Sequence, residues 1–382
     1  MQSQAGLRLR LRLQPLYGQG EVIFPCTVAG GKYQISDRRI PGYDTSVKCA
    51  VLDSVQSQAN RMEDALLSDI TAGNMHLPHV ATDFSSVENL EKPIGVITCF
   101  EAPHRIFDAI IRDSVDASQK HFPLTSMGTA VVNANAKDAK AIFQVSPASL
   151  LFGSWDSTGI SGGLGEKYTR CVVSELVAIK CDELSRDGFR IDPLNISSGI
   201  DCSKIATQEK DQLWSERQAK TKKDKQKAAA INHGNILIGN SHGGITCDYI
   251  QQSTTISFAA LRQLRFPVGE NDQSPFAHTV LAAIALHAAA LNVERGWHLR
   301  SRCDLAMEEG QSAIWEILGN SPTKEELKAD AIRELLEEAI AKAKEAGLLW
   351  NDEPIKLTPS KALASLVVKS QQAHRTAAPT EA

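Results

Sequence analysis

The residues of this 382-residue chain best suited to binding chemistry lie in VLDSVQSQANRMEDALL, residues 51–67. Apolar residues recur there at helical spacing and predict an amphipathic helix capped by Asp53 or Ser54. Another face carries Ser57, Asn60, Arg61 and Asp64. Hydroxyl and amide groups beside a guanidinium suit ribose and phosphate oxygens, because arginine supplies a planar fork of donors. A solvated helix face is the alternative interpretation.

Further cationic residues lie on other predicted elements. His104 and Arg105 lie in the first turn of a predicted helix, 102–114, where they oppose the helix dipole and indicate a nearby anion. Arg300 and Arg302 share one face of a predicted strand, 297–306. A Lys-rich run within 215–230 could contact phosphates without sequence preference or be a merely solvated surface helix.

Motifs for catalysis or metal binding are not found. The chain has no GxSxG, HExxH or CxxC sequence, and Glu166-Lys167 does not satisfy the P-loop pattern. Asp156 lies in the sequence WDSTG, which favours the interpretation of a turn-forming residue over that of a nuclease carboxylate. His76 and His79 have no further ligands in sequence, so no metal and no cofactor are expected.

Composition narrows the function classes. The net charge of −4 argues against indiscriminate nucleic-acid binding, so an RNA site would have to be a local patch. Eight cysteines without paired spacing predict a reduced, cytoplasmic protein. No signal peptide is evident, and the apolar run 279–291 is too short and Ala-rich for a membrane span, so no membrane partner is expected.

Periodicity predicts an α+β fold. Leu7, Leu9, Leu11 and Leu13 alternate with arginines and predict a strand with one cationic face. Further strands are predicted at 47–51, 94–100, 139–145, 168–180 and 245–256, and helices at 257–264, from 274 to about 294, and after 321. A strand followed by a helix is predicted near 47–67, a helix followed by a strand near 275–306, and strands lie between them. This order fits a βαββαβ ferredoxin-like core with helices on one sheet face.

Several long blocks carry a resemblance to a known family. They are DSVQSQANRMED (53–64), EAPHRIFDAIIRDS (101–114), SLLFGSWDSTGISGGLGEKYTR (149–170), RIDPLNI (190–196), INHGNI (231–236), GGITCDYIQQSTTISFAALRQLRFP (243–267) and LRSRCDL (299–305). In consistent order over residues 7–306, they resemble the CRISPR-associated RAMP backbone protein of type I-U, or I-G, Cascade, the Csb-type member of the Cas-seven group.

The resemblance implies a ferredoxin-like (RRM-like) RAMP palm with finger and thumb insertions. It implies a non-catalytic subunit that stacks head-to-tail along a CRISPR guide RNA, presents it to target DNA, and contacts other Cascade subunits in antiviral defence. The Gly-rich loop 159–165 and the insertion 182–235 are equal thumb candidates. The alternative is a RAMP-type endoribonuclease that processes or cleaves RNA.

The expected boundaries are a palm over 1–320 with insertions at about 72–145 and 182–240, a helical extension at 321–370 and a disordered tail at 371–382. A sequence-independent grip on guide RNA should use phosphate and ribose contacts. The candidate RNA-binding residues are Ser57, Asn60, Arg61, His104, Arg105, Lys167, Arg170, Arg262, Arg265, Arg300 and Arg302.

Overall fold

The computed structural model describes residues 3–159, 165–204, 214–215, 225–231, 233–319 and 322–376. Helix and strand occur in similar shares, 31% and 33%, which confirms the α+β class. Lys220, Lys222 and Lys223 of the Lys-rich run, and positions 160–164 of the Gly-rich loop, lie outside the described residues.

The helices are α1 (Val55–Thr71), α2 (Ala109–Arg112), α3 (Ser126–Val132), α4 (Lys140–Val145), α5 (Pro147–Leu151), α6 (Phe258–Leu261), α7 (Ser274–Glu294), α8 (Ala329–Glu345) and α9 (Lys361–Thr376), with 3₁₀ turns at Arg105–Phe107, Phe122–Leu124 and Ala228–Ile231. The strands are β1 (Gln4–Pro15), β2 (Thr27–Val28), β3 (Lys32–Tyr33), β4 (Ile35–Arg38), β5 (Val47–Asp53), β6 (Val80–Asp83), β7 (Val96–Thr98), β8 (Ser114–Val115), β9 (Ser154–Trp155), β10 (Lys167–Tyr168), β11 (Val172–Arg190), β12 (Asp201–Lys204), β13 (Trp214–Ser215), β14 (Lys225–Lys227), β15 (Ile236–Ser257), β16 (Pro267–Val268), β17 (Asn271–Asp272), β18 (Trp297–Arg300), β19 (Cys303–Met307), β20 (Ile314–Gly319), β21 (Thr323–Glu326) and β22 (Ile355–Pro359).

A large sheet organises the described residues, with strand order β18-β19-β1-β15-β11-β5-β4. Strand β20 pairs with the first half of β1 and carries β21 at its outer edge. The alternation predicted for β1 is confirmed, because its four leucines are buried while Arg10 and Arg12 are exposed. The Arg12 guanidinium lies 3.6 Å from the centroid of the Tyr249 ring on β15.

Helix α7 packs against both α1 and α8, and α1 and α7 contact the sheet. The predicted N-cap of α1 is confirmed, because the Ser54 hydroxyl accepts a hydrogen bond from the Ser57 amide at 3.3 Å. The apolar stripe of α1, including Ala59, Met62 and Leu66, is buried. Burial of this stripe against the sheet therefore fixes which face of α1 meets solvent.

A buried polar network joins α1 to the sheet below it. The side chain of Gln58, fully buried, donates to Asp53 Oδ2 at 2.5 Å and accepts from Ser174 Oγ at 2.9 Å. Its oxygen also accepts from Gln252 at 3.1 Å and Asn292 at 3.3 Å. Since each partner is itself buried, Gln58 satisfies groups from several elements at once.

We expect Gln58→Leu to lower the free energy of unfolding by about 2–3 kcal/mol, because it removes the shared hydrogen-bond partner of four buried polar side chains. Urea unfolding followed by circular dichroism measures this. Gln56→Leu on the exposed face of the same helix is the control and should change stability by less than about 0.5 kcal/mol. Equal effects of the two substitutions would contradict the role of the network.

The prediction of a helix from 274 to about 294 is confirmed by α7, which contains the apolar run 279–291. The length and composition of α7 alone would suffice to cross a membrane, but 78% of its most apolar window is buried within the protein. It packs against α1, α8 and β15. The helix therefore forms part of the core.

A second sheet has the order β7-β6-β22-β8. Strand β22 runs parallel to β6 and antiparallel to β8, so residues near the end of the chain complete a sheet whose other strands come from residues 80–115. The region expected to be a helical extension thus also contributes a central strand. The tail predicted to be disordered from residue 371 is helical to Thr376 in α9, and residues 377–382 lie outside the description.

Several predictions of helices and strands are wrong. Residues 139–145 form helix α4 instead of a strand, since a short buried apolar run fits either structure. The helix predicted over 102–114 is divided into a 3₁₀ turn and α2, because Arg105 has a positive φ of 55° and Asp108 caps α2. The helix predicted after 321 begins at Ala329, behind strand β21.

The strand predicted over 297–306 is a hairpin of β18 and β19. Arg302 occupies the turn with a φ of 62°, in the left-handed region that a non-glycine residue seldom adopts. Strands β11 and β15 are longer than predicted. From Glu183 to Arg190, β11 pairs within the described residues only with β15, forming a two-stranded arm about 25 Å long.

Candidate nucleic-acid interface

Arg61, Arg300 and Arg302 meet around the β18–β19 hairpin, and we call them the hairpin cluster. Arg61 on α1 donates to the carbonyl oxygens of His298 at 3.1 Å and Leu299 at 3.4 Å. Arg300 and Arg302 follow on the same hairpin and are exposed. The structure therefore brings Arg61 together with two predicted residues that lie more than 230 positions later in the sequence.

Arg61 is held firmly. Its Nε donates to the buried carboxylate of Asp53 at 2.9 Å, and Gln58 fixes that carboxylate from the other side. The guanidinium is one-third exposed. Because most of its donors already have protein acceptors and its charge is paired with that of Asp53, Arg61 chiefly fixes the hairpin on α1.

Arg300 and Arg302 have more freedom to bind. Arg300 Nη1 donates to the carbonyl of Pro25 at 3.1 Å, and the Arg302 guanidinium lies 4.5 Å from the centroid of the Phe24 ring. Neither has a carboxylate partner within salt-bridge distance among the described residues. Guanidinium groups oriented in this way can bind phosphate oxygens while their aliphatic stems remain packed.

Ser57 and Asn60 lie beside this cluster on the outer face of α1, where Ser57 is half-buried and Asn60 is exposed. They offer a hydroxyl and an amide to sugar or phosphate oxygens. His298, which the predictions did not include, is exposed on β18 and contacts Asp304 Oδ1 through Nδ1 at 2.5 Å. The hairpin end of α1 is thus polar and predominantly cationic.

Lys167 and Arg170 belong to a second group, at the β9–β10 hairpin. Lys167 pairs in register with Trp155, and its Nζ lies 5.4 Å from the centroid of the Trp155 ring. Arg170 is exposed overall, but part of its side chain is buried. This burial and the nearby Arg105 guanidinium lower the pKa of Arg170. Trp155 carried no signal in the sequence other than the scarcity of aromatic residues, which make up 5% of the chain.

Arg105 is buried and does not reach the surface. Its guanidinium makes a bidentate ion pair with Glu63 on α1, both bonds being 2.6 Å long, and donates to the carbonyl of Gly153 at 2.8 Å. Burial raises the pKa of Glu63 to about 7, against the opposing effect of the guanidinium. The anion that the first-turn cation indicated is therefore this carboxylate, and the pair fixes the β9–β10 hairpin beside α1.

The remaining predicted residues lie apart from these groups. His104 is exposed, and its backbone amide donates a hydrogen bond to the Asp108 carboxylate. Arg262 donates to the carbonyl of Gln4, at the end of β1 opposite the hairpin cluster and roughly 35 Å away along that strand. Arg265 is exposed nearby in sequence, and its backbone pairs with residues 136 and 139. We do not include these three in the interface.

Asp156 is a turn residue in the structure. It is buried, and its carboxylate lies where any side chain at Gly159 or Gly165 would collide with it. Among the described residues its Oδ2 has no hydrogen-bond partner, and Asp156 lines a cavity of about 20 Å³, room for one water molecule. Among the described residues, no group of three or more His, Cys, Asp or Glu side chains could hold a metal ion.

Comparison with protein-family models gives a match over the first part of the chain. Residues 7–183 match the family model of CRISPR-associated protein GSU0053. This similarity supports a CRISPR-associated protein. A search of curated proteins found no match. The matched segment ends within β11, so it includes α1 and the β9–β10 hairpin but not β15 or the β18–β19 hairpin.

Proposed function

We propose, on the premise that the chain is CRISPR-associated, that it is a structural guide-RNA-binding backbone subunit of a type I-U, or I-G, Cascade complex in the cytoplasm. Copies would polymerise head-to-tail along the guide, present it to target DNA and contact other Cascade subunits. The hairpin cluster on the outer face of α1 is the observation that carries this proposal.

The sheet topology supports a ferredoxin-like RAMP palm. Strands β1, β11, β15 and β19, with α1 and α7 as crossovers, follow a βαββαβ chain order. The first strand of this unit is the N-terminal β1, not β5, which pairs at the outer side of β11. The hairpin cluster then lies where the last strand of the unit meets its first helix.

The nature of the contacts supports a sequence-independent grip. Guanidinium, hydroxyl and amide groups at the surface of the hairpin cluster match phosphate and ribose oxygens, which position a nucleic acid without reading its bases. A subunit that accepts any guide sequence needs this kind of contact. The overall charge of −4 is compatible with the proposal because the cations are concentrated locally.

The β11–β15 arm supports polymerisation, and we assign it as the thumb. Exposed apolar residues lie on β11 of this arm and on the segment that follows β11, namely Leu184, Phe189, Ile191, Leu194 and Ile200. Phe189 is 58% exposed on the part of β11 whose described pairing is with β15 alone. Apolar groups on a projecting arm gain free energy when a neighbouring subunit covers them, and a head-to-tail contact repeats without closing.

The test is to incubate purified protein with labelled repeat–spacer RNA, with and without magnesium, and to measure protection from a nuclease and particle mass. We expect protection without cleavage, and particles whose mass grows with RNA length. Phe189→Asp should abolish this growth while single-subunit binding persists. Leu366→Asp, an equally exposed apolar residue on α9, is the control.

An endoribonuclease is the competing function. RNA products that depend on His104 or Asp156 would support it and refute the non-catalytic subunit. The enclosed carboxylate of Asp156 favours the binding function, because a catalytic group must reach the reacting atoms.

A further inference from the structure

The structure describes the side chains of four tryptophans, and of these Trp155 is the exposed one. Its side chain is 44% exposed, whereas Trp297 and Trp315 are buried and Trp350 is half-buried. The exposed ring stands on β9, directly across the hairpin from Lys167. A large aromatic surface is thus presented to solvent beside a cation.

The backbone beneath Trp155 is fixed on both sides. The carbonyl of Gly153, two residues before Trp155, accepts from the buried guanidinium of Arg105 at 2.8 Å. Ser154 is buried and donates to the carbonyl of Ser149 at 3.1 Å, and the Asp156 amide donates to the carbonyl of Glu166 at 3.3 Å. A ring on such a support loses little conformational freedom when a planar group stacks on it.

The charges around the ring are suited to a polyanion. Lys167 Nζ lies over the ring, and Arg170 follows two residues after β10. Exposed aromatic rings combined with neighbouring cations bind single-stranded nucleic acids, since bases stack on the rings while cations contact the phosphates.

We infer that Trp155 is a stacking platform for a nucleobase of the bound strand, with Lys167 and Arg170 contacting the adjacent phosphates. The inference rests on the proposed function and adds a contact to bases that the hairpin cluster does not make. It requires no particular base, because every base presents a flat π-face.

The experiment compares two probes of equal length, a single-stranded oligouridylate and an abasic sugar–phosphate oligomer, in fluorescence anisotropy titrations. Trp155→Ala should weaken binding of the oligouridylate roughly ten-fold and leave binding of the abasic oligomer unchanged. Trp155→Phe should retain most of the affinity while losing the quenching of intrinsic fluorescence on binding. Phe276→Ala, at a similarly exposed aromatic residue on α7, should change neither affinity.

The outcomes separate the two proposals. If the wild type binds both oligomers and Trp155→Ala weakens both equally, or neither, stacking is refuted while RNA binding stands. If the wild type binds neither oligomer, both the proposed function and the stacking site are refuted. Thermal unfolding of each variant establishes that the substituted protein is folded.

Discussion

The double substitution Arg300→Gln and Arg302→Gln should weaken binding of single-stranded RNA roughly thirty-fold at 0.1 M salt. Each exposed guanidinium contributes about 1 kcal/mol through a phosphate contact, once solvent screening is allowed for. The loss should be equal for unrelated RNA sequences, because phosphate contacts carry no sequence information.

The salt dependence distinguishes this effect from misfolding. Each phosphate contact with a single strand contributes about 0.7 to the slope of log K against log salt, so the slope should decrease in magnitude by about 1.4. Filter binding between 50 and 300 mM salt measures it. Lys342→Gln with Lys344→Gln removes the same charge from α8, where these lysines pair with Glu338 and Asp352, and should leave the slope unchanged. A loss confined to one RNA sequence would contradict the proposed grip.

Arg105→Met should lower the free energy of unfolding by about 3–5 kcal/mol at pH 8.5, because it leaves the buried Glu63 carboxylate without its counterion. The variant should also loosen the β9–β10 hairpin, which loses the bond to the Gly153 carbonyl. Urea unfolding at fixed pH measures the first effect.

The cost should be smaller at pH 6. Burial raises the pKa of folded Glu63 to about 7, above its ordinary value of 4.5, so the folded state takes up a proton and is stabilised as the pH falls through 7. The guanidinium opposes this increase, and its removal raises the pKa of Glu63 further. The unfolding free energy of the variant therefore continues to fall above pH 7, where that of the wild type has levelled off.

Arg295→Met is the matched control, since Arg295 pairs with Asp64 on the same helix at 2.9 Å but in solvent. It should cost less than about 1 kcal/mol at either pH. An equal cost of Arg105→Met at pH 6 and pH 8.5 would show that Glu63 does not titrate in this range.

The hairpin cluster was partly predictable from the sequence. The helical spacing around Ser57, Asn60 and Arg61 defined an outer face, and the alternation from His298 to Arg302 indicated a cationic surface. The turn at Arg302 was not predictable from the sequence. Arg302 has a positive φ although it is not glycine, and the alternation of polar and apolar residues continues through it without a break. The hairpin nevertheless keeps Arg300 and Arg302 at the surface.

Arg105 shows the limit of local reasoning. A cation in a first turn can face solvent, a ligand or a carboxylate, and the choice depends on Glu63, 42 residues earlier. Trp155 shows the converse, because no local pattern distinguishes a buried tryptophan from an exposed one. In both cases the tertiary packing decides, through burial that no window of sequence contains.

The position of β22 between β6 and β8 has a consequence for biosynthesis. The two outer parts of that sheet are translated early, but the strand that joins them emerges only after more than two hundred further residues. Until then β6 and β8 leave unpaired edges, which can associate with other chains. Nascent chains stalled before residue 355 should consequently be clients of ribosome-associated chaperones.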